Sequence, residues 1–466
     1  MDLYRLTATE ASELFRTREL SPVELLESVI ARTEATEPTI NAVTEQWLDE
    51  ARASAVVSEA RFAAGDAVRA LEGIPLMLKD EQPIAGRLLE DGCLLERGNI
   101  ADVTHPIVER IQDAGAVIHA RTKTPEYCCA PVTHSKLWGI TRNPWNPDYT
   151  PGGSSGGSGA VLAAGSTVLA TGSDIGGSIR IPASFCGVVG FKPPFGRVPG
   201  MAPFNSDTFC ADGPMGRSVA DVALLQNVIS GPWVGDAASL RDIAAVSGAV
   251  GSLRGIRVAL CIQLGAYDVD PVVEANTRAV AAALTFAGAI VDEVTLPWTF
   301  GQVEETAWPH FGAVMGPFIE SIVEGDPARA AQLMPYTRAF AAKAAAGGHY
   351  VEGLVAESAF YRPFAEIMLD YDVMICPTVA NTGMAADEPA TDSTEVFSKL
   401  MTLPFNVIGR VPVLSVPSGI APNGVPTGVQ IVGRTYDDTT VFRVGAALEQ
   451  ELALWTDPAW WPTLEG

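Results

Sequence analysis

Short apolar runs alternate with helical patterns along most of this chain. That alternation predicts a single α/β domain, a large mixed β-sheet core surrounded by α-helices. Two bulk features agree. Hydrophobic residues fill 47% of 466 positions, enough for a large core. Charged residues reach only 18%, while 44 glycines and 33 prolines supply tight loops. No internal repeat or linker divides the sequence, so one domain is expected over residues 1–466.

Thr7 to Thr36 reads as two helices. Thr7 and Glu10 make a capping-box pattern for the first. Ser21, Pro22 and Glu24 open the second, with proline suited to the first helical turn. A third helix is expected over Thr44 to Ala63. Gly73 to Asp80 (GIPLMLKD) is an apolar run ending in a charged pair, which fits a buried strand that stops at Lys79. Thr104 to Ala114 reads as helix and Ala116 to Ala120 as strand, the start of a βαβ rhythm.

Thr124 to Thr150 and Pro193 to Gly216 lack a period and carry aromatics, so both are expected to be loops lining a pocket. Tyr127, Cys128, Phe204 and Phe209 are the residues expected on its wall. Arg217 to Val228 reads as helix. Ile256 to Cys261, Pro271 to Phe286 and Ala289 to Val294 read as strand, helix and strand. Val303 to Leu369 is Ala-rich and helical. Val373 to Pro377, Val413 to Val416 and Val429 to Val432 are strand-like, and Asp438 to Glu451 closes as a helix.

Between the two loops lies Pro151 to Pro182, PGGSSGGSGAVLAAGSTVLATGSDIGGSIRIP. Two Gly-Gly-Ser turns, at 152–154 and 176–178, flank an Ala/Val/Leu stretch. Paired glycines let the chain turn sharply beside a serine, and successive backbone N–H groups can converge on an anionic oxygen. The stretch offers two hydroxyls and a cluster of donors, the makings of a serine-hydrolase site.

The net charge of −24 repels phosphate backbones and anionic lipid, which argues against nucleic-acid or membrane partners. Seven cysteines form no C-x-x-C pair, so neither a disulfide framework nor a zinc site is expected. No apolar run reaches the length of a membrane span, and the N-terminal stretch is charged and helical. A cytoplasmic protein without cofactor or metal is expected, as a monomer or homodimer acting on a small molecule.

Serine needs a partner that takes its proton. None of the five histidines sits in a recognisable motif, and of the six lysines only Lys79 ends a strongly apolar strand. Burial lowers a lysine pKa, so Lys79 can serve as a neutral base. The structural alternative is a lysine paired with Asp80 or another acid.

The chain also resembles the amidase signature family. The resemblance rests on GGSSGG at 152–157, Asp174 to Arg180 (DIGGSIR), Gly73-Ile74-Pro75 and Lys79-Asp80. Gly190-Phe191-Lys192-Pro193, Gly213 to Asp221, and Phe405-Asn406 through Gly428 to Arg434 support it. It is densest from Gly73 to Pro199. It implies a Ser–cis-Ser–Lys triad: Ser178 as nucleophile, Ser154 as the bridging serine after a cis bond, and Lys79 as terminal base. The N–H groups of Ile175, Gly176, Gly177 and Ser178 are the implied oxyanion hole. Ser155, Asp174 and Arg180 match as supporting residues, the last two also readable as a structural ion pair. Ser158 and Ser173 read as local turn residues. Glu81-Gln82 departs from the family, which often has Asn after Lys-Asp, and Pro194 stands where Thr is common.

Gly152 to Gly156 also fits G-x-S-x-G, but a nucleophile elbow needs a strand before it, and 143–151 is Pro-rich. No S-x-x-K occurs, and Gly152 to Gly159 lacks a P-loop lysine. The expected activity is hydrolysis of neutral, hydrophobic or aryl amides through an acyl-enzyme on Ser178, with carbamates and aryl esters as related substrates. The alternative is the glutaminase component of a glutamyl-tRNA amidotransferase, its A subunit, which works with B and C subunits.

Overall fold

The computed structural model describes residues 2–388, 393–457 and 459–464. In chain order the strands are β1 (Val43–Gln46), β2 (Pro75–Lys79), β3 (Val117–Thr122), β4 (His134–Ser135), β5 (Gly139–Ile140), β6 (Leu169–Asp174) and β7 (Val189–Lys192). They continue with β8 (Ala211–Gly216), β9 (Arg257–Leu260), β10 (Ile290–Glu293), β11 (Val373–Pro377), β12 (Val413–Ile420) and β13 (Pro426–Gly433). Eleven of them form one sheet in the order β1-β3-β2-β6-β8-β7-β12-β13-β11-β9-β10, and β4 and β5 pair separately. Parallel pairs (β2 with β3 and β6; β9 with β10 and β11) stand at either side of an antiparallel centre. The expected mixed α/β sheet is therefore present.

The first two helices begin where their caps predict. Thr7 and Ser21 each accept from the backbone of a glutamate three residues on, whose carboxylate answers the cap's own N–H. Helices Pro271–Phe286 and Asp438–Leu452 pack against β11 to β13. Helices Gly156–Ala164 and Arg180–Cys186 pack on each other beside β6 and β7. From Phe300 to Ile367 the chain runs almost wholly as helices, one of which brings Met315 and Phe318 to the cavity described below.

Two expectations are corrected. Thr44 does not begin a helix: Glu37 holds the N–H groups of Ala42 and Val43, and the β-branched pair Val43-Thr44 joins the edge strand β1 before helix Leu48–Ala64 starts. The loop expected to run to Gly216 ends earlier, because Ala211–Gly216 is a strand between β6 and β7. Two glycines and a proline hide its strand character, which comes from pairing on both sides.

Candidate active site

Lys79 ends β2 with its N–H donating to Thr171 Oγ1 on neighbouring β6, at 3.0 Å. Its side chain is fully buried. Nζ lies 2.7 Å from Ser154 Oγ, 2.8 Å from Ser173 Oγ and 3.0 Å from Glu81 Oε1. Two of the ammonium hydrogens go to the serine hydroxyls, and the Glu81 carboxylate stands at ion-pair distance.

That geometry fits the alternative reading of Lys79 as paired with an acid, and the acid is Glu81. Burial works against the charge, but the Glu81 carboxylate at 3.0 Å opposes it, and the pKa is raised above its ordinary value. Burial also pushes the Cys128 thiol well up, so it stays neutral and donates to Glu81 Oε2 at 2.8 Å. The charge beside Lys79 is thus the Glu81 carboxylate. Burial raises that carboxyl, and Lys79 with its hydrogen-bond donors brings it below its ordinary value. Asp80, the other acid considered as a partner, instead faces Arg121 at 3.6 Å. Ser173, read as a local turn residue, is a ligand of the Lys79 ammonium.

Ser154 is fully buried and follows a cis peptide bond from Gly153. A side chain at Gly153 would run into the Ala130 carbonyl at 2.6 Å, which explains the glycine. Ser155 N donates to Ser178 O at 3.0 Å, tying the two Gly-Gly-Ser turns together. Ser155 Oγ meanwhile bridges to the backbone of Ser173. No hydrogen bond joins the Ser154 and Ser178 hydroxyls, and Ser178 keeps 7% of its surface exposed.

The turn before Ser178 is built on Asp174. Its carboxylate accepts from Gly177 N at 2.8 Å and Ile179 N at 3.2 Å. Gly177 has φ +127°, and any Cβ there would overlap the Thr402 side chain. Because Asp174 occupies the Gly177 N–H, that group is withdrawn from the expected oxyanion hole. Arg180 and Asp174 form a fully buried ion pair at 2.8 Å, as the structural reading of these residues anticipated.

A cavity of about 310 Å³ opens beside the turn, with Glu81, Ser173 and Ile175 among its lining residues. Tyr127, Cys128 and Phe204 line it as expected. Phe209 does not. It is 1% exposed and stacks on His310, 3.6 Å between ring centroids, because Asp207 draws that imidazole in at 2.6 Å. Its place on the wall is taken by Phe318, whose ring meets Tyr127 and Phe204 edge-on at 5.8 and 5.4 Å. Nothing in the sequence near the serine turns points to a residue so far along the chain. The described lining includes Glu81, Asp91, Asp212 and Asp236, and no lysine or arginine.

No helix among the described residues is long and apolar enough to cross a membrane. Similar curated proteins include the A subunit of glutamyl-tRNA(Gln) amidotransferase from Synechococcus sp. (strain CC9605), 35% identical with 97% of each chain covered. Its counterpart from Chloroflexus aurantiacus is 32% identical, covering 97% of this chain and 98% of the relative. Among solved structures, a bacterial aryl acylamidase matches with a TM-score of 0.86, 27% identity and 96% of both chains covered. A 6-aminohexanoate cyclic dimer hydrolase bound to substrate gives 0.87 and 29% over the whole of both chains. With the Amidase family model matching residues 24–442, the chain belongs to the amidase signature family of C–N hydrolases.

Proposed function

We propose that Ser178 is the nucleophile, Ser154 the bridging proton carrier and Lys79 the terminal base of an acyl-transfer site. The observation that carries this reading is the 2.7 Å contact of Lys79 Nζ with Ser154 Oγ, in a turn bound through Ser155 to Ser178. Ser178 Oγ attacks the substrate carbonyl carbon and its proton passes to Ser154, which gives its own to a deprotonated Lys79. The oxyanion rests on the N–H groups of Ile175, Gly176 and Ser178. The relay returns a proton to the leaving group, and water releases the acyl half from Ser178.

The substrate we infer is a neutral or amine-bearing amide with an apolar or aryl portion, with carbamates and aryl esters in the same class. Tyr127, Phe204 and Phe318 support an aryl portion, and a lining that carries four acidic residues but no lysine or arginine offers a substrate carboxylate no guanidinium or ammonium on the cavity wall. A second reading is the glutamine-hydrolysing component of an amidotransferase, working beside partner subunits. The names of the curated relatives support it better than they support a free-standing amidase. The cavity chemistry weighs the other way, since glutamine brings a carboxylate.

A mass-spectrometric product screen decides between them. The purified chain is expected to turn over aryl amides or carbamates and to leave glutamine intact. Glutamine hydrolysis without aryl turnover, or co-purification with partner subunits, favours the second reading. Phe318→Ala is expected to raise KM for an aryl substrate about tenfold with little change in kcat. A substrate ring set edge-on to Phe318 gains roughly 0.5–1.5 kcal/mol, and the upper end of that range corresponds to about tenfold in KM.

A further inference from the structure

We propose that Glu81 sets the protonation of Lys79, and with it the pH range in which Ser178 is activated. The inference rests on the relay roles given above and deepens them. An ammonium has no lone pair, so Lys79 accepts the Ser154 proton only after one N–H bond has broken and left its electrons on Nζ. Glu81 stands 3.0 Å from that nitrogen and opposes the loss. Beyond this ion pair its Oε1 accepts no hydrogen bond, and its Oε2 is held by the Cys128 thiol, so the carboxylate is aimed at the ammonium.

The other groups facing this pair are Asp212 on β8, which His105 and Gln82 hold, Asp91 on the cavity wall, and the thiols of Cys128 and Cys210. Burial raises Asp91 and Asp212, with Glu81 itself adding to both shifts. Cys128 and Cys210 are pushed up by burial as well. Glu81 is the carboxyl among them that shifts downward, and it is the counter-charge that fixes Lys79. The Ser173 hydroxyl completes the cage at 2.8 Å. In a site without that carboxylate, burial alone would favour the free amine.

The test reads Ser178 directly and needs no knowledge of the substrate. A fluorophosphonate labels an activated serine: the Oγ–P bond forms, the P–F bond breaks, fluoride leaves and the hydroxyl proton enters the relay. For the wild-type chain the labelling rate is expected to climb from neutral into strongly alkaline pH. Glu81→Gln is expected to move the midpoint down by at least about one pH unit, making labelling at pH 7 about tenfold faster. Glu81→Asp, which keeps the charge, is expected to stay near the wild-type profile. Glu81→Ala removes the charge without adding an amide to satisfy, and serves with the same expected direction where Gln does not fold. Coincident midpoints for wild type and the neutral variants overturn the proposal, as does a shift for Asp equal to that for Gln. A wild-type Ser178 that resists labelling at every pH removes the relay itself, a different failure.

Discussion

Ser178→Ala is expected to cut kcat by roughly a million-fold, the size of loss seen when a hydrolase loses its serine nucleophile. The fold should not notice. The Ser178 hydroxyl makes no hydrogen bond to another side chain, and what the structure uses is its carbonyl, which accepts from Ser155 N at 3.0 Å and survives the substitution. Product release by the variant, measured by mass spectrometry against wild type at equal concentration, gives the number. Covalent labelling of intact protein shows whether the reactive oxygen is gone. A loss below about tenfold would mean that another group attacks the carbonyl. Ser154→Ala should also be severe, because Lys79 then loses its 2.7 Å acceptor and Ser178 its route to the amine. Groups that act in series do not add, so the double variant is expected to cost little more than Ser178→Ala alone.

How much of this was legible beforehand differs by residue. Capping boxes and the Lys79 strand end are local patterns, and they stood in the structure as read. The two glycine-serine turns were recognisable because few backbones need such runs. Their approach to one another was not, since the Ser155–Ser178 bond joins positions 23 apart through folding around helix Gly156–Ala164. Glu81 carries no strand signal: β2 ends at Lys79, and a turn closed by Gln82 N donating to Lys79 O at 3.1 Å brings the Glu81 carboxylate back toward Nζ. For Ser173 the strand pattern does hold: Thr171 and Ser173 lie on one face of β6, and both bind Lys79. That contact required knowing that β2 and β6 are neighbours.

The aromatic wall was the least legible part. Phe204 and Phe209 sit in one irregular segment, and nothing local separates a ring that lines a cavity from one that fills the core. Partners far along the chain decide it. Phe318 arrives from helix Met315–Val323 to meet Phe204, whereas His310 captures Phe209. The acidic lining has the same origin, since Glu81, Asp91, Asp212 and Asp236 come from four separate segments.

The other large effect expected is on stability. Arg180→Met should cost about 3–5 kcal/mol, because it leaves Asp174 as an unpaired charge in a dry interior. Both side chains are 0% exposed. All five guanidinium hydrogens are used: two toward Asp174, two toward Gln430 Oε1 and Thr402 O, and one toward Asn406 Oδ1. Burial raises the Asp174 carboxyl, but Arg180 and Asn406 bring it below its ordinary range. A carboxyl with a depressed folded-state pKa contributes stability above its unfolded pKa, near 3.9. That contribution is lost as pH falls through the folded value. Arg180→Met abolishes it at neutral pH, so the shift in urea midpoint relative to wild type should be largest near pH 7 and shrink toward pH 3. Arg180→Met combined with Asp174→Asn should cost less than the two single losses added, since neither charge is then stranded. Activity should nonetheless stay low in the double variant. The carboxylate oxygens also hold Gly177 N and Ile179 N, and an amide can accept for only one of them. A double variant as active as wild type would mean that the turn around Ser178 keeps its shape without Asp174.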